Sequence, residues 1–311
     1  MATQRRMGRL SSGVVNGFRI VLVTPVLFLL ASTSSVPDDS RYGAELAGQA
    51  DADRLRAWHD LLGSEPHVAG TEADRREISR LETAFESMGL DTEVHWFHAL
   101  LPSPVKAELE IVDSKPLTSS ETGGDALRRG VVPLPLTEKN LLEDPSSMHP
   151  GLTYGWNAFS GSGEVTAEVV YANHGTIDDF KRLKELGVDV RGKIVIARYG
   201  RNYRGYKVKY AQEAGAAGLL MFLDPGDYGY QRGETWPSGG WANDSCIQRG
   251  SILVLPYKGD PLTPFIEATE DAQRLEIEDV NLPSIPVQPI GYAAANRILA
   301  RMKGRPLEDS S

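Results

Sequence analysis

"GKIVIARYGRNYRGYKVKYAQEAGAAGLLMFLD", residues 192–224, is the stretch on which the fold turns. "GKIVIAR" is a short apolar run with the length and β-branched content of a buried strand. "GYKVKYAQEAG" follows with helical character and a closing glycine. "AAGLLMFLD" is a second apolar run. Strand, helix and strand in so few residues predict a compact βαβ unit and an α/β fold. The turn between strand and helix gathers Arg198, Arg201, Arg204, Lys207 and Lys209 in a chain of net charge -9. Two readings compete for it: a solvated turn, or a site for an anionic group, since α/β units bind ligands outside the carboxyl ends of their strands. Gly200 and Gly205 would let the backbone turn tightly.

Outward from this unit the pattern repeats. "GEVTAEVVYAN" predicts a strand and "TIDDFKRLKELG" a short helix before the central run. Residues 224–264 are rich in turn formers, "LPSIPVQPIG" is extended because each proline restricts its predecessor, and "YAAANRILARMKG" closes as a helix. Toward the N-terminus, "DADRLRAWHDLLG" and "TEADRREISRLETAFESMG" read as helices. The second has Thr71 as N-cap, Asp74 three residues on, and a stripe of Ile78, Leu81, Phe85 and Met88 ending at Gly89. "TEVHWFHALL" reads as a strand and "VKAELEIVD", which alternates Val105, Ala107, Leu109 and Ile111 with Lys106, Glu108 and Glu110, as a half-buried one. Residues 113–150, rich in Ser, Gly, Pro and Asp, read as a long surface excursion, and residues 37–50 as an exposed linker.

Composition excludes several classes. The chain has 311 residues, 41% hydrophobic and 24% charged, enough for one large or two medium domains. Its acidic balance argues against nucleic-acid binding, which needs a basic face. One cysteine, Cys246, allows neither a disulfide framework nor a cysteine-rich zinc site, and the thiol reads as inert. Arg5, Arg6, Arg9 and Arg19 precede the apolar run 20–31, and "STSSVPDDS" follows it. That order describes a secretory signal. A run of 12 residues, interrupted by Pro25, falls short of the roughly 20 that span a bilayer, which favours cleavage over an anchor.

Four stretches in order, "PHVAGTEADRREISRLETAFESMGLD", "GKIVIARYGRNYRGYKVKYAQEAGAAGLLMFLDPGDY", "QRGSILVLPYKGDPLTP" and "LPSIPVQPIGYAAANRIL", resemble the exported zinc peptidases of the glutamate carboxypeptidase II type, relatives of the transferrin receptor. The resemblance implies a partial peptidase α/β segment followed by an inserted protease-associated domain, mixed β with flanking helices. Its boundaries would be a signal peptide or signal anchor over 1–35, a linker over 36–49, the first peptidase segment over 50–105, and the protease-associated domain over 106–311, incomplete at its C-terminal end. In the family the metal-binding motifs lie further along, so the chain is expected to hold no catalytic zinc and no catalytic residue. Two zinc ions, and calcium, would belong to the full-length protein. His59, His67, His95, His98, His149 and His174 show no ligand spacing. His95 and His98 would face opposite sides of a strand.

Residue by residue, Arg204 in "YRG" matches the family's arginine that binds the substrate's terminal carboxylate. A planar guanidinium suits that task, and Lys207 and Lys209 read as solvated cations beside it. Ser251 in "QRGS" stands where the glutamate-directed enzyme has an asparagine, which puts strict glutamate specificity in question. Arg249 reads as a structural donor to loop carbonyls, with a second anion contact as the alternative. Thr263 and the backbone at Ile266, in and after "GDPLTP", match two oxygens of a calcium site completed elsewhere, well short of the usual six to eight. The implied partners are a peptide with a free C-terminal carboxylate, the missing catalytic core and, as in the family, a second copy in a homodimer. A stand-alone protease-associated binding module, or a receptor-like protein, is the alternative.

Overall fold

The computed structural model describes residues 40–112 and 130–304. The signal-like segment and residues 113–129 of the expected surface excursion lie outside the described residues. The chain divides between Leu55 and Arg56 into two units. In the first, α1 (Ser40–Gly48) forms where a linker was expected, and its residues 42–48 are exposed. α2 (Ala52–Leu62) spans the division and buries none of its side chains.

Within the second unit, α3 (Glu72–Ser87) begins as its sequence requires: the Thr71 side chain accepts from the Asp74 amide. The next segment differs from expectation. "TEVHWFHALL" enters no strand; its backbone is held by His98 N–H to Ala268 O (2.6 Å) and Leu100 N–H to Asp260 Oδ1 (2.7 Å). Its aromatic and β-branched content signals strand propensity, but propensity acts only through a pairing edge. The chain then forms β1 (Glu110–Val112), antiparallel to β2 (Val131–Pro133) with Ile111 opposite Val132. Ala107, Leu109 and Ile111 alternate inward as predicted, but Val105, expected inward with them, is 96% exposed, because pairing with β2 begins only at Glu110. Residues 130–136 are not surface excursion: Val132, Leu134 and Leu136 are buried while Pro133 and Pro135 face out. Prolines at the outward positions hid a period of two.

The central sheet is parallel, in the order β10–β6–β5–β4, from β4 (Val169–Tyr171), β5 (Ile194–Arg198), β6 (Gly218–Phe222) and β10 (Val287–Ile290). Alternation splits its side chains between two cores. Val195, Ala197, Leu219, Met221 and Val287 face Leu183 of α4 (Ile177–Glu185) and Val208 and Ala211 of α5 (Arg204–Glu213). Ile196, Leu220, Phe222 and Ile290 face Ala294, Ala295 and Ile298 of α7 (Tyr292–Leu299), with α6 (Pro225–Tyr228) intervening in sequence, and they also meet Leu134 and Leu136. Covered on both faces, β5 and β6 read as continuous apolar runs. α4 is started by a capping box between Thr176 and Asp179. Smaller pairings complete the fold: β3 (Asn157–Ala158) runs parallel to β7 (Gly250–Ser251), and β8 (Gly259–Asp260) pairs with β9 (Thr263–Pro264) as a hairpin.

Candidate anion-binding turn

The cations of the opening stretch separate once the turn between β5 and α5 is in place. Arg198 ends β5 and is fully engaged: Nε and Nη2 donate to Asn173 Oδ1 at 3.1 and 2.9 Å, and Nη1 lies 3.3 Å from Asp227. Arg201 is exposed and holds a left-handed backbone (φ 68°), next to Gly200 at φ 103°. Lys209 is exposed, 3.9 Å from Glu213.

Arg204 opens α5 and is half-buried. Its guanidinium lies on the backbone of Gly250, where a Cβ would overlap it, and 5.6 Å from the Tyr203 ring. Its Nε is buried with no hydrogen-bond partner. No side chain caps the helix at Tyr203. A neighbouring frame fixes the site: Tyr203 OH donates to Ser251 O (2.6 Å), Asn157 Nδ2 to Gly250 O (3.0 Å), and Tyr199 OH to Gln248 O (2.9 Å). Burial pushes the Tyr199 phenol up to about 12, so it remains a neutral donor. The fold thus brings Arg204 to the Gly250–Ser251 strand. The Ser251 hydroxyl accepts from the Leu253 amide (3.1 Å).

Two expectations are corrected here. Lys207 is not a solvated cation: it is 0% exposed. Its ammonium donates to the carbonyls of His174 and Gly200 (the latter at 2.7 Å) and to Asn202 Oδ1 (2.6 Å). A lysine three residues after an arginine on a polar-looking helix gave no sign of burial; the sign lay in Val208 and Ala211, the apolar residues that put its face inward. Gly205, for its part, serves close approach rather than a turn. A Cβ there would stand 2.5 Å from Ile252 O and 2.7 Å from Val254 Cγ2.

The remaining candidates lie apart from the turn in sequence. Arg249 donates to Glu138 Oε2 (2.8 Å) and to Thr153 O (3.2 Å), the structural role expected, with a carboxylate added. Thr263 is 0% exposed and its hydroxyl has no partner. An orphaned hydroxyl is compatible with a cation ligand, but with Ile266 O it supplies only two oxygens. Among the described residues no three His, Cys, Asp or Glu side chains gather as metal ligands. Burial raises the Cys246 thiol above its ordinary range, consistent with an inert residue. His95 and His98 are exposed on the irregular segment.

Residues 165–246 match the PA domain. Beyond it, the chain is 34% identical over 264 residues to a glutamate carboxypeptidase 2 homolog of Caenorhabditis elegans, covering 82% of this chain and 33% of that protein. It is 32% identical over 270 residues to aminopeptidase NAALADL1 of Rattus norvegicus (85% and 34%), and 33% identical over 233 residues to a probable glutamate carboxypeptidase of Arthroderma benhamiae (73% and 30%). The chain therefore spans about a third of the length of the curated relatives it matches. These are the proteins the chain is similar to, and the matched PA residues lie within the aligned part. Arg198, Arg204 and Lys207 all lie inside the PA domain; Ser251 and Thr263 lie after the matched residues.

Proposed function

We propose that this chain is the substrate-recognition and scaffold portion of an exported zinc exopeptidase of the glutamate carboxypeptidase type, and that it performs no catalysis by itself. Arg204 would hold the free C-terminal carboxylate of a peptide. The observation that carries this reading is its half-buried guanidinium, set against a glycine strand with a buried, unpartnered Nε at the opening of a helix. A carboxylate there gains a charge-assisted hydrogen bond from the guanidinium and a favourable interaction with the helix dipole. Ser251, beside it on the same strand, offers a shorter donor than an amide, which accommodates more than one terminal side chain.

The described residues bring together no set of zinc ligands; the metal chemistry belongs on this reading to the rest of the protein. Thr263 and the Ile266 carbonyl would contribute to a calcium site completed there. Export rests on the Arg-rich start and the apolar run. Homodimer formation is part of the same proposal by kinship.

The test uses the full-length enzyme and paired peptides with free and amidated C-termini. Arg204→Ala should raise KM for the free peptide strongly, since truncating one side of a buried charge pair costs about 2–5 kcal/mol. Equal kinetics on both peptides in the wild-type enzyme would refute the role. The cleaved N-terminus of exported protein checks the signal: a cytosolic product starting at residue 1 or 2 would end that part.

A further inference from the structure

Lys207 is an unusual side chain to bury. It carries a full ammonium on a flexible stem, yet it is 0% exposed, wedged beside Gly175 and Ala197. Such burial is costly unless every donor finds an acceptor. Here the three N–H groups of the ammonium meet three oxygens: His174 O, Gly200 O and Asn202 Oδ1. The count closes with no donor left over.

The three acceptors are not scattered. His174 follows β4, and Gly200 and Asn202 belong to the turn that leads into Arg204. Lys207 itself sits on the first turns of the helix that Arg204 opens. The tie is reciprocated: the buried His174 ring donates from Nδ1 to Tyr199 O at 3.1 Å, in the same turn. Burial, then the nearby Arg198, lowers the His174 pKa, so the ring remains neutral. Asn202 N–H also donates to Gly200 O (2.8 Å). The turn needs such a tie because Gly200 and Arg201 both hold left-handed backbone, which costs energy at a non-glycine residue.

We propose that Lys207 is the positioning residue of the recognition turn: its ammonium gathers the oxygens of His174, Gly200 and Asn202 and so fixes Arg204 against the Gly250–Ser251 strand. The consequence for ligand affinity rests on the carboxylate role of Arg204; the ordering of the turn does not.

The geometry makes the tie sensitive to one proton. A neutral amine has two N–H groups and a lone pair, and facing three oxygens it must set that lone pair against one of them. Burial lowers the Lys207 pKa to about 8. The charged groups around it are Asp179 at the start of α4, which opposes the shift, together with Arg198 at the end of β5 and Asp227 on α6; the neutral His174 completes the surroundings.

The experiment follows amide hydrogen exchange of residues 199–204 in the purified chain, with β6 as internal reference, in wild type and Lys207→Met. At pH 7 the variant should exchange at least tenfold faster in the turn, with β6 unchanged. In wild type, exchange corrected for its intrinsic pH dependence should accelerate as pH rises through about 8, and the variant should show no such step. Affinity for an N-acetylated dipeptide with a free carboxylate should fall at least fivefold in the variant, with its amide as control. Turn protection unchanged in Lys207→Met, or a wild-type turn indifferent to pH between 7 and 9, overturns the proposal. If that variant does not fold, Asn202→Ala, which removes one of the three acceptors, decides: a turn as protected as in wild type overturns the proposal. If wild type binds acid and amide equally, the carboxylate reading of Arg204 fails, while exchange still judges Lys207.

Discussion

α3 and α5 teach opposite lessons about reading helices. α3 shows a clean apolar stripe, yet Ile78, Phe85 and Met88 on it are 37%, 46% and 60% exposed. α5, "RGYKVKYAQE", shows no stripe, yet Gly205, Lys207, Val208 and Ala211 are buried. The difference lies in what each helix meets. α5 packs on a parallel sheet already covered on its other face, and Gly205 lets it lie close to Ile252 and Val254. The polar face of α3 makes charged contacts: Arg76 clasps Glu65 through Nε (3.2 Å) and Nη2 (2.7 Å), while Arg80 bridges Glu65 (2.9 Å) and Glu77 (2.8 Å). A stripe states what a helix could bury; only a partner surface decides whether it does.

The contrast can be broken by measurement. Its largest expression should be in the sheet. Met221 is 0% exposed between α4, α5 and β5, so Met221→Ala should lower unfolding free energy by about 2–5 kcal/mol. A loss below 1 kcal/mol in chemical denaturation would mean the core is loosely packed. Next comes Gly205→Ala, where the added methyl meets the backbone at Ile252 O; overpacking of this kind costs about 1–3 kcal/mol. A neutral result would show that α5 does not sit close to residues 252–254.

Smaller again is the α4 cap. Thr176→Ala removes the acceptor for the Asp179 amide and should cost about 1 kcal/mol, with Thr176→Ser restoring most of it. On the exposed helix, Phe85→Ala should change stability by no more than about 0.5 kcal/mol. A loss comparable to Met221→Ala would show that the α3 stripe is covered in solution and would erase the contrast.

The smallest effect is expected at Glu65. The hydrogen bond from Arg76, reinforced by Arg80, holds its carboxyl down to about 2 from 4.5. A depressed carboxyl stabilises the fold above its unfolded pKa and loses that contribution as pH falls toward its folded one. The gap in denaturation midpoint between wild type and Glu65→Gln should therefore be full above about pH 5 and close as pH falls to about 2. A gap that does not vary with pH would assign the effect to shape rather than charge.

The sequence by itself determined the local units. The apolar runs at 194–198 and 218–222, the capping signal at Thr71, and the alternation from Ala107 to Ile111 each rest on periodicity or on a bond within a few residues, so neighbours in the chain suffice to read them. The tertiary structure alone decided which polar groups are buried. Nothing near Lys207 in sequence shows that His174 O, 33 residues earlier, will accept from it, or that Gly250 will lie under Arg204. Nor could the propensity of "TEVHWFHALL" reveal that it lacks a pairing edge, or the prolines of residues 131–136 that their neighbours fill a core. These outcomes depend on contacts between segments far apart in the chain, where an acceptor, an edge or an opposing face is supplied by the fold and not by local composition.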